Sequence, residues 1–297
     1  MDKNTYSLEV SQETFSKIKN FYQDDMVKND NENLDFFARN NNCSISGYKS
    51  LKVVFQGSKA QLEAGIWDPD VLKEKVADPE EDIFFTGSHA GSDEVGTGDF
   101  FGPIIVVAAY VRGDQFQELL DLGVKDSKKL SDEKICEIGA KLIHMIPYSS
   151  LHLDNIKYNL LTSKGFNMNK LKAYLHNKAL INLRKKVDHP IEYFVMDQFA
   201  PERLYYSYLR DEILVQRNIK FITKGEDHSL AVACASIIAR YSFLIKMDRL
   251  SKNVGVSLPK GAGPEVDEVA EELYHKLGHI AFNNICKNNF KNYEKLQ

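Results

Sequence analysis

The sequence predicts an α/β protein (α+β overall): a mixed sheet flanked by helices, preceded by a small α+β domain. Three observations carry this. Beyond residue 86, short apolar runs alternate with segments of helical periodicity, the pattern of strands and helices packed in layers. The run Ile104-Ile-Val-Val-Ala-Ala-Tyr-Val111 is apolar throughout, as a strand covered on both faces must be. Residues 68–82 hold two prolines among many charges and read as a linker, with a domain boundary near residue 85. We therefore expect an N-terminal domain over residues 1–85 and a larger one over 86–297.

Residues 6–22 read as a short strand and then a helix. Ser11 is the N-cap, and Phe15, Ile18, Phe21 and Tyr22 fall at helical spacing. Residues 24–33 are polar and acidic, hence a loop. Residues 43–56 alternate well enough for two strands, joined at Ser46-Gly47 or at Ser50, and 61–67 opens a helix. In the second part we expect strands at 89–93, 104–111, 150–153, 191–196 and 219–222. Helices are expected at 131–145, 169–186, 201–208 and 228–250. Asn169 caps the second of these, and Leu171, Leu175, Leu180 and Leu183 mark its apolar face. Residues 264–293 read as two more helices, broken near Gly278.

Composition narrows the class. The 297 residues are 43% hydrophobic and 27% charged, ordinary values for a globular protein. No run approaches the length needed to span a bilayer, and no secretory signal opens the chain. The four cysteines, Cys43, Cys136, Cys234 and Cys286, lie far apart with no Cys-x-x-Cys spacing, as in a cytosolic protein with reduced thiols. We therefore expect a cytoplasmic protein with no membrane association. The net charge of −4 argues mildly against a general nucleic-acid binder. Its distribution qualifies that: residues 1–88 carry a net of −6 and residues 89–297 a net of +2. Within the acidic part, residues 36–62 hold Arg39, Lys49, Lys52 and Lys59 and no acid, interleaved with Phe36, Phe37, Tyr48 and Phe55. Such local basic surface suits phosphate contact.

The most informative segment is Gly91-Ser-Asp-Glu-Val-Gly-Thr-Gly98. Asp93 and Glu94 offer the hard oxygen ligands that Mg²⁺ or Mn²⁺ prefers, and the glycines allow close approach to the backbone. Acidic neighbours recur elsewhere, as at Asp24-Asp25, Glu80-Glu81 and Asp211-Glu212, so context distinguishes this pair. It lies among glycines, shortly before the apolar run. Two-metal phosphoryl chemistry needs further carboxylates converging on ions roughly 3.5–4 Å apart. Asp197 ends the apolar run 191–196, where an acid is either a turn former or part of a site. Glu226 precedes a small-residue helix in Lys224-Gly-Glu-Asp-His228; it either caps that helix or is carried by it towards the centre. Asp126-Ser-Lys-Lys-Leu130 and residues 258–263 offer donors ahead of helices or in loops, and both also read as solvated charge. His144, His152 and His176 show no ligand spacing and read as surface or core residues.

Taken together, Gly91–Gly98, Asp126–Leu130, Phe194-Val-Met-Asp-Gln198, Lys224-Gly-Glu226 and Ala233-Cys-Ala-Ser-Ile-Ile-Ala-Arg240 resemble the type 2 ribonucleases H, and most closely the HIII branch. The resemblance covers about residues 87–290. More loosely, Gly47-Tyr-Lys-Ser-Leu-Lys-Val-Val-Phe-Gln-Gly57 with Trp67 is similar to that branch's substrate-binding domain, which folds like the TATA-box-binding protein. Thr97 stands where HII usually has Arg, and the fourth acid is Glu226 where HII has Asp; both favour HIII. Asp227 departs from the pattern, and either substitutes for Glu226 or caps the helix. The resemblance implies a ribonuclease H-like fold and endonucleolytic cleavage of the RNA strand of RNA–DNA hybrids, leaving 5′-phosphate and 3′-hydroxyl ends. It implies two divalent ions, Mg²⁺ or Mn²⁺, and a catalytic set of Asp93, Glu94, Asp197 and Glu226. Asp93, Glu94 and Asp197 would be metal ligands, while Glu226 either ligates or positions water. Gly96, Thr97 and Gly98 would face the minor groove, where 2′-hydroxyls mark RNA. Ser127 and Lys128, with Arg39, Tyr48, Lys49 and Lys52, would contact substrate. No obligate protein partner is implied. The competing expectations are HII-like cutting at single embedded ribonucleotides and a non-catalytic hybrid-binding protein; like charges kept together serve no mere binder.

Overall fold

The computed structural model describes residues 5–40, 43–68, 71, 86–124 and 130–296. The chain divides into two compact units, residues 1–81 with Ala200–Leu204, and residues 82–199 with 205–297. Apart from Asp68 and Val71, the expected linker lies outside the described residues.

The first unit is a four-stranded antiparallel sheet with two helices. Its elements are β1 (Thr5–Glu9), α1 (Gln12–Phe21), β2 (Leu34–Arg39), β3 (Ser44–Tyr48), β4 (Lys52–Gln56) and α2 (Ala60–Gly65). The strand order is β1-β4-β3-β2. Ser11 caps α1 by accepting a hydrogen bond from Thr14 N. Period-two alternation aims Tyr6, Leu8, Phe36, Ala38, Ile45, Val53 and Phe55 into one core with Phe15 and Ile18 of α1. One local expectation is corrected, and one of two alternatives is selected. β2 was not anticipated as a strand, because outward-facing Phe37 blurs its alternation. Of the two expected turn positions the chain uses Ser50: the β3–β4 turn falls at Tyr48–Leu51, closed by Leu51 N donating to Tyr48 O at 2.9 Å. Ser46-Gly47 is strand instead, because the Phe36 ring occupies the space that a Cβ on Gly47 would need.

The second unit is a five-stranded mixed sheet with helices packed on both faces. It contains β5 (His89–Val95), β6 (Ile104–Val111), α3 (Phe116–Asp121), α4 (Asp132–Met145), β7 (Tyr148–Leu153), α5 (Asn155–Ser163), α6 (Met168–Arg184), β8 (Tyr193–Asp197), the part from Tyr205 onward of α7 (Glu202–Tyr208), β9 (Ile219–Ile222), α8 (Gly225–His228), α9 (Leu230–Val254), α10 (Pro264–Phe282) and α11 (Lys291–Glu294). The sheet order is β7-β6-β5-β8-β9. β5 pairs antiparallel with β6 and parallel with β8, and β8 pairs parallel with β9. β6 shows why its run is apolar throughout. Ile105, Val107, Ala109 and Val111 join the core under α4, α9 and α10, while Ile104, Val106, Ala108 and Tyr110 join the core under α6. Gly278 breaks α10 as expected, with φ 73°. α3 and α5 were not anticipated, and the helix expected from residue 228 is preceded by a separate turn, α8. One composition reading is corrected: α9 is by length and composition long enough to cross a bilayer. Its apolar side chains are instead buried in the core between the sheet and its neighbouring helices.

Candidate active site

β5 carries Ser92, Asp93 and Glu94 to its C-terminal end, and β8 ends on Asp197. In this parallel pair Ser92 lies opposite Met196, so Asp93 and Asp197 stand level at the ends of neighbouring strands. α9 reaches the same place because Gly91 has no side chain. A Cβ there would lie 2.4 Å from Val232 N and 2.7 Å from Ala231 C, both backbone atoms of α9. The helix start is fixed by His89. Its Nδ1 donates to Gly87 O at 2.7 Å, so Nε2 accepts from Ser229 Oγ at 2.8 Å. Ser229 in turn caps α9 by accepting from Val232 N at 3.2 Å. Burial pushes the His89 pKa down and keeps the ring neutral. With α9 so placed, the Ser236 hydroxyl donates to the Asp93 carboxylate.

Asp93 and Glu94 are neighbours with opposite electrostatics. Burial, and then the charges of Glu94 and Asp197, raise the Asp93 pKa well above the usual carboxylate range. The hydrogen bonds from Ser236 and from Glu94 N at 2.8 Å do not offset this. Burial also pushes Glu94 up, but His176 and Lys172 outweigh it and hold its pKa at about 2. His176 Nε2 donates to Glu94 Oε2 at 2.8 Å, and Lys172 Nζ pairs with Oε1. His176 Nδ1 lies 2.9 Å from Ser92 Oγ. The Phe199 ring supports both, stacking on the imidazole at 5.3 Å between centroids and lying 4.2 Å from Lys172 Nζ.

Asp197 Oδ1 accepts from Gly225 N at 2.8 Å and so anchors α8. The next two acids part company: Glu226 is buried and Asp227 is exposed. After β5, Gly96 adopts φ 89° and packs where a Cβ would be 2.2 Å from Pro103 O. Thr97 is half-buried and Gly98 exposed, with open space around it. Ser127 and Lys128 lie outside the described residues. In the first unit Arg39, Tyr48 and Lys52 alternate with the core residues of β2, β3 and β4 and so project from the opposite face of that sheet, with Lys49 exposed in the turn that follows β3. Arg39 lies 5.7 Å over the Phe37 ring on the same face.

Sequence reasoning missed Lys172, His176, Ser92 and Ser236. The available signal was Lys172 and His176 four apart on one helix, on the same face. Among the described residues no three ligand-type side chains are already closed round one point, since both Glu94 oxygens face α6. The donor set still suits a hard dication. It is all carboxylate oxygen, and Asp93 carries a cost that a cation between it and Asp197 would remove.

A mixed sheet of this order, with carboxylates at the ends of its central parallel strands and a glycine loop beside them, defines a nuclease of the ribonuclease H type. A family model described as Ribonuclease HII matches residues 90–293, and one for a domain of unknown function (DUF3378) matches residues 6–79. The chain is 46% identical to Ribonuclease HIII of Bacillus cereus (strain ATCC 10987 / NRS 248), over 98% of this chain and 97% of the relative. Among solved structures, Bst-RNase HIII in complex with Mn²⁺ is similar with a TM-score of 0.71 at 35% identity, covering 98% of this chain and 97% of that one. RNase H3 of Aquifex aeolicus has a TM-score of 0.56 at 25% identity, covering 96% of this chain and 100% of that one. The chain belongs to the ribonuclease HIII family and is an endoribonuclease of the ribonuclease H class.

Proposed function

We propose that this enzyme hydrolyses the RNA strand of RNA–DNA hybrids at Asp93, Glu94, Asp197 and Glu226, leaving 5′-phosphate and 3′-hydroxyl ends. The observation that carries the reading is the β5–β8 register, which sets Asp93 level with Asp197 on rigid neighbouring strands, beside Glu94 and the anchored turn that bears Glu226. Asp93, Glu94 and Asp197 would hold two divalent ions, Mg²⁺ or Mn²⁺. When bound, these ions supply an activated water and neutralise the leaving oxygen. Asp93, fixed by Ser236 and by the Glu94 amide, would be one of their ligands. Lys172 and His176 keep Glu94 anionic and aimed. Buried Glu226 either ligates or orients water. The backbone of Gly96, Thr97 and Gly98 meets the minor groove. Ser127 and Lys128 contact phosphate, and the open sheet face with Arg39, Tyr48, Lys49 and Lys52 binds the duplex.

The domain roles are residues 1–85 for substrate binding and 86–297 for catalysis. A cytoplasmic setting fits the four free cysteines. Cleavage of a uniform hybrid should exceed cleavage of a DNA duplex carrying one ribonucleotide, with Mg²⁺ or Mn²⁺ required and chelator abolishing both. The reverse preference would assign the HII task instead.

A further inference from the structure

The glycine loop that follows β5 is held from behind by the C-terminal segment. Gly102 N donates to Ile285 O at 3.0 Å and Lys287 N to Phe100 O at 3.0 Å, with Phe101 bridged to Cys286 between them. The Lys287 side chain then crosses to the same loop. It is fully buried, and its ammonium donates to Asp99 O at 2.6 Å and Gly102 O at 2.7 Å. Asn155 Nδ2 adds a bond to Gly102 O at 3.0 Å, and Gly261 N donates to Asp99 Oδ1 at 2.6 Å. The Tyr158 and Phe290 rings lie near the ammonium, each 5.8 Å away. Burial lowers the Lys287 pKa to about 8, partly countered by Asp99.

A lysine in an apolar core is costly unless every proton finds an acceptor. Shape alone would favour Met or Leu here. What the ammonium adds is a cationic tie between two carbonyls three residues apart, which fixes the course of the loop between them. That loop begins at Gly96, Thr97 and Gly98. We propose that Lys287 is a positioning residue for hybrid binding: it ties the far end of the Gly96–Gly102 loop so that its near end presents backbone to the minor groove. The inference rests on the loop contacting substrate, as in the function proposed above.

The test uses the full-length Lys287→Met variant, with Asn155→Leu as a milder probe should the first fail to fold. Loss of a charged hydrogen-bond pair corresponds to roughly tenfold in an equilibrium. We expect KM for a uniform hybrid to rise about tenfold in Lys287→Met, with kcat within about threefold of the parent enzyme. Amide exchange should accelerate at Phe100 and Gly102 and stay unchanged in β6. Asn155→Leu should shift KM and Gly102 exchange in the same direction by less. A lysine that serves only stability would lower the melting temperature and leave KM and loop exchange alone; that outcome overturns the proposal. Asp93→Asn serves as the separating control. If it remains fully active, the proposed site is wrong, whereas an inert Asp93→Asn beside an unaffected Lys287→Met sinks only the role of Lys287.

Discussion

The acidic pair illustrates how adjacent carboxyl groups of one strand are shifted in opposite directions. Glu94 sits against two cationic or donor groups of α6, whereas Asp93 faces two other carboxylates and a single hydroxyl. The folded Asp93 pKa is raised, so the unfolded chain ionises first as pH rises above about 3.8. Stability is therefore lost progressively from there towards pH 8 in the metal-free protein. Asp93→Asn removes that loss. Calorimetry without metal should show the variant melting a few degrees higher at pH 8 and near the parent at pH 4, while its hydrolysis falls to background. Lys172→Met leaves Glu94 buried with one partner fewer, a change that commonly costs about 3–5 kcal/mol. Its melting temperature should fall in chelator and recover in part with excess Mn²⁺; equal losses in both would deny Lys172 its role beside Glu94. The segments bearing Asp93, Glu94 and Asp197 stood out in the sequence, the acidic pair for its flanking glycines ahead of an apolar run and Asp197 for ending one. Lys172 and His176 were not, since a polar pair on a helix gains meaning only when that face meets a strand some 80 positions earlier.

At the scale of elements, the site depends on the close approach of α9 to β5. Gly91 supplies the space, and the His89–Ser229 bond fixes where the helix begins. The backbone of α9 cannot yield as a side chain would, so Gly91→Ala must push the helix away from the strand. We expect a loss of about 1–3 kcal/mol in denaturant unfolding, with a fall in kcat larger than the change in KM because Ser236 leaves Asp93. A variant with the parent kcat would show that this close approach does not place the site. The long strands and helices were readable from periodicity. β2 was hidden by Phe37 on its open face, and α8 by its single turn, which owes its place to Asp197 accepting from Gly225 N rather than to any local pattern.

At the scale of the molecule, net charge misleads. A chain of net −4 still places Arg39, Lys49 and Lys52 on one open sheet face or its adjoining turn, beside Phe37 and Tyr48. Joint substitution of Arg39, Lys49 and Lys52 by Ala should weaken hybrid binding by an order of magnitude or more. It should also flatten the salt dependence of binding by about one unit for each phosphate no longer neutralised. Cleavage at saturating substrate should persist, and an unchanged salt slope would remove this face from the binding surface. The division near residue 85 was read from the proline-bearing stretch, whereas which strand face stays open emerged only from the packing of α1 and α2.

The most direct measurement is anomalous diffraction from crystals of the full-length enzyme soaked in Mn²⁺. The account predicts manganese peaks between Asp93 and Asp197, within ligand distance of Glu94, and their loss in Asp93→Asn. Carboxylates left pointing apart around an ion-free space, in an enzyme that still cuts hybrid in the same Mn²⁺ solution, would contradict it.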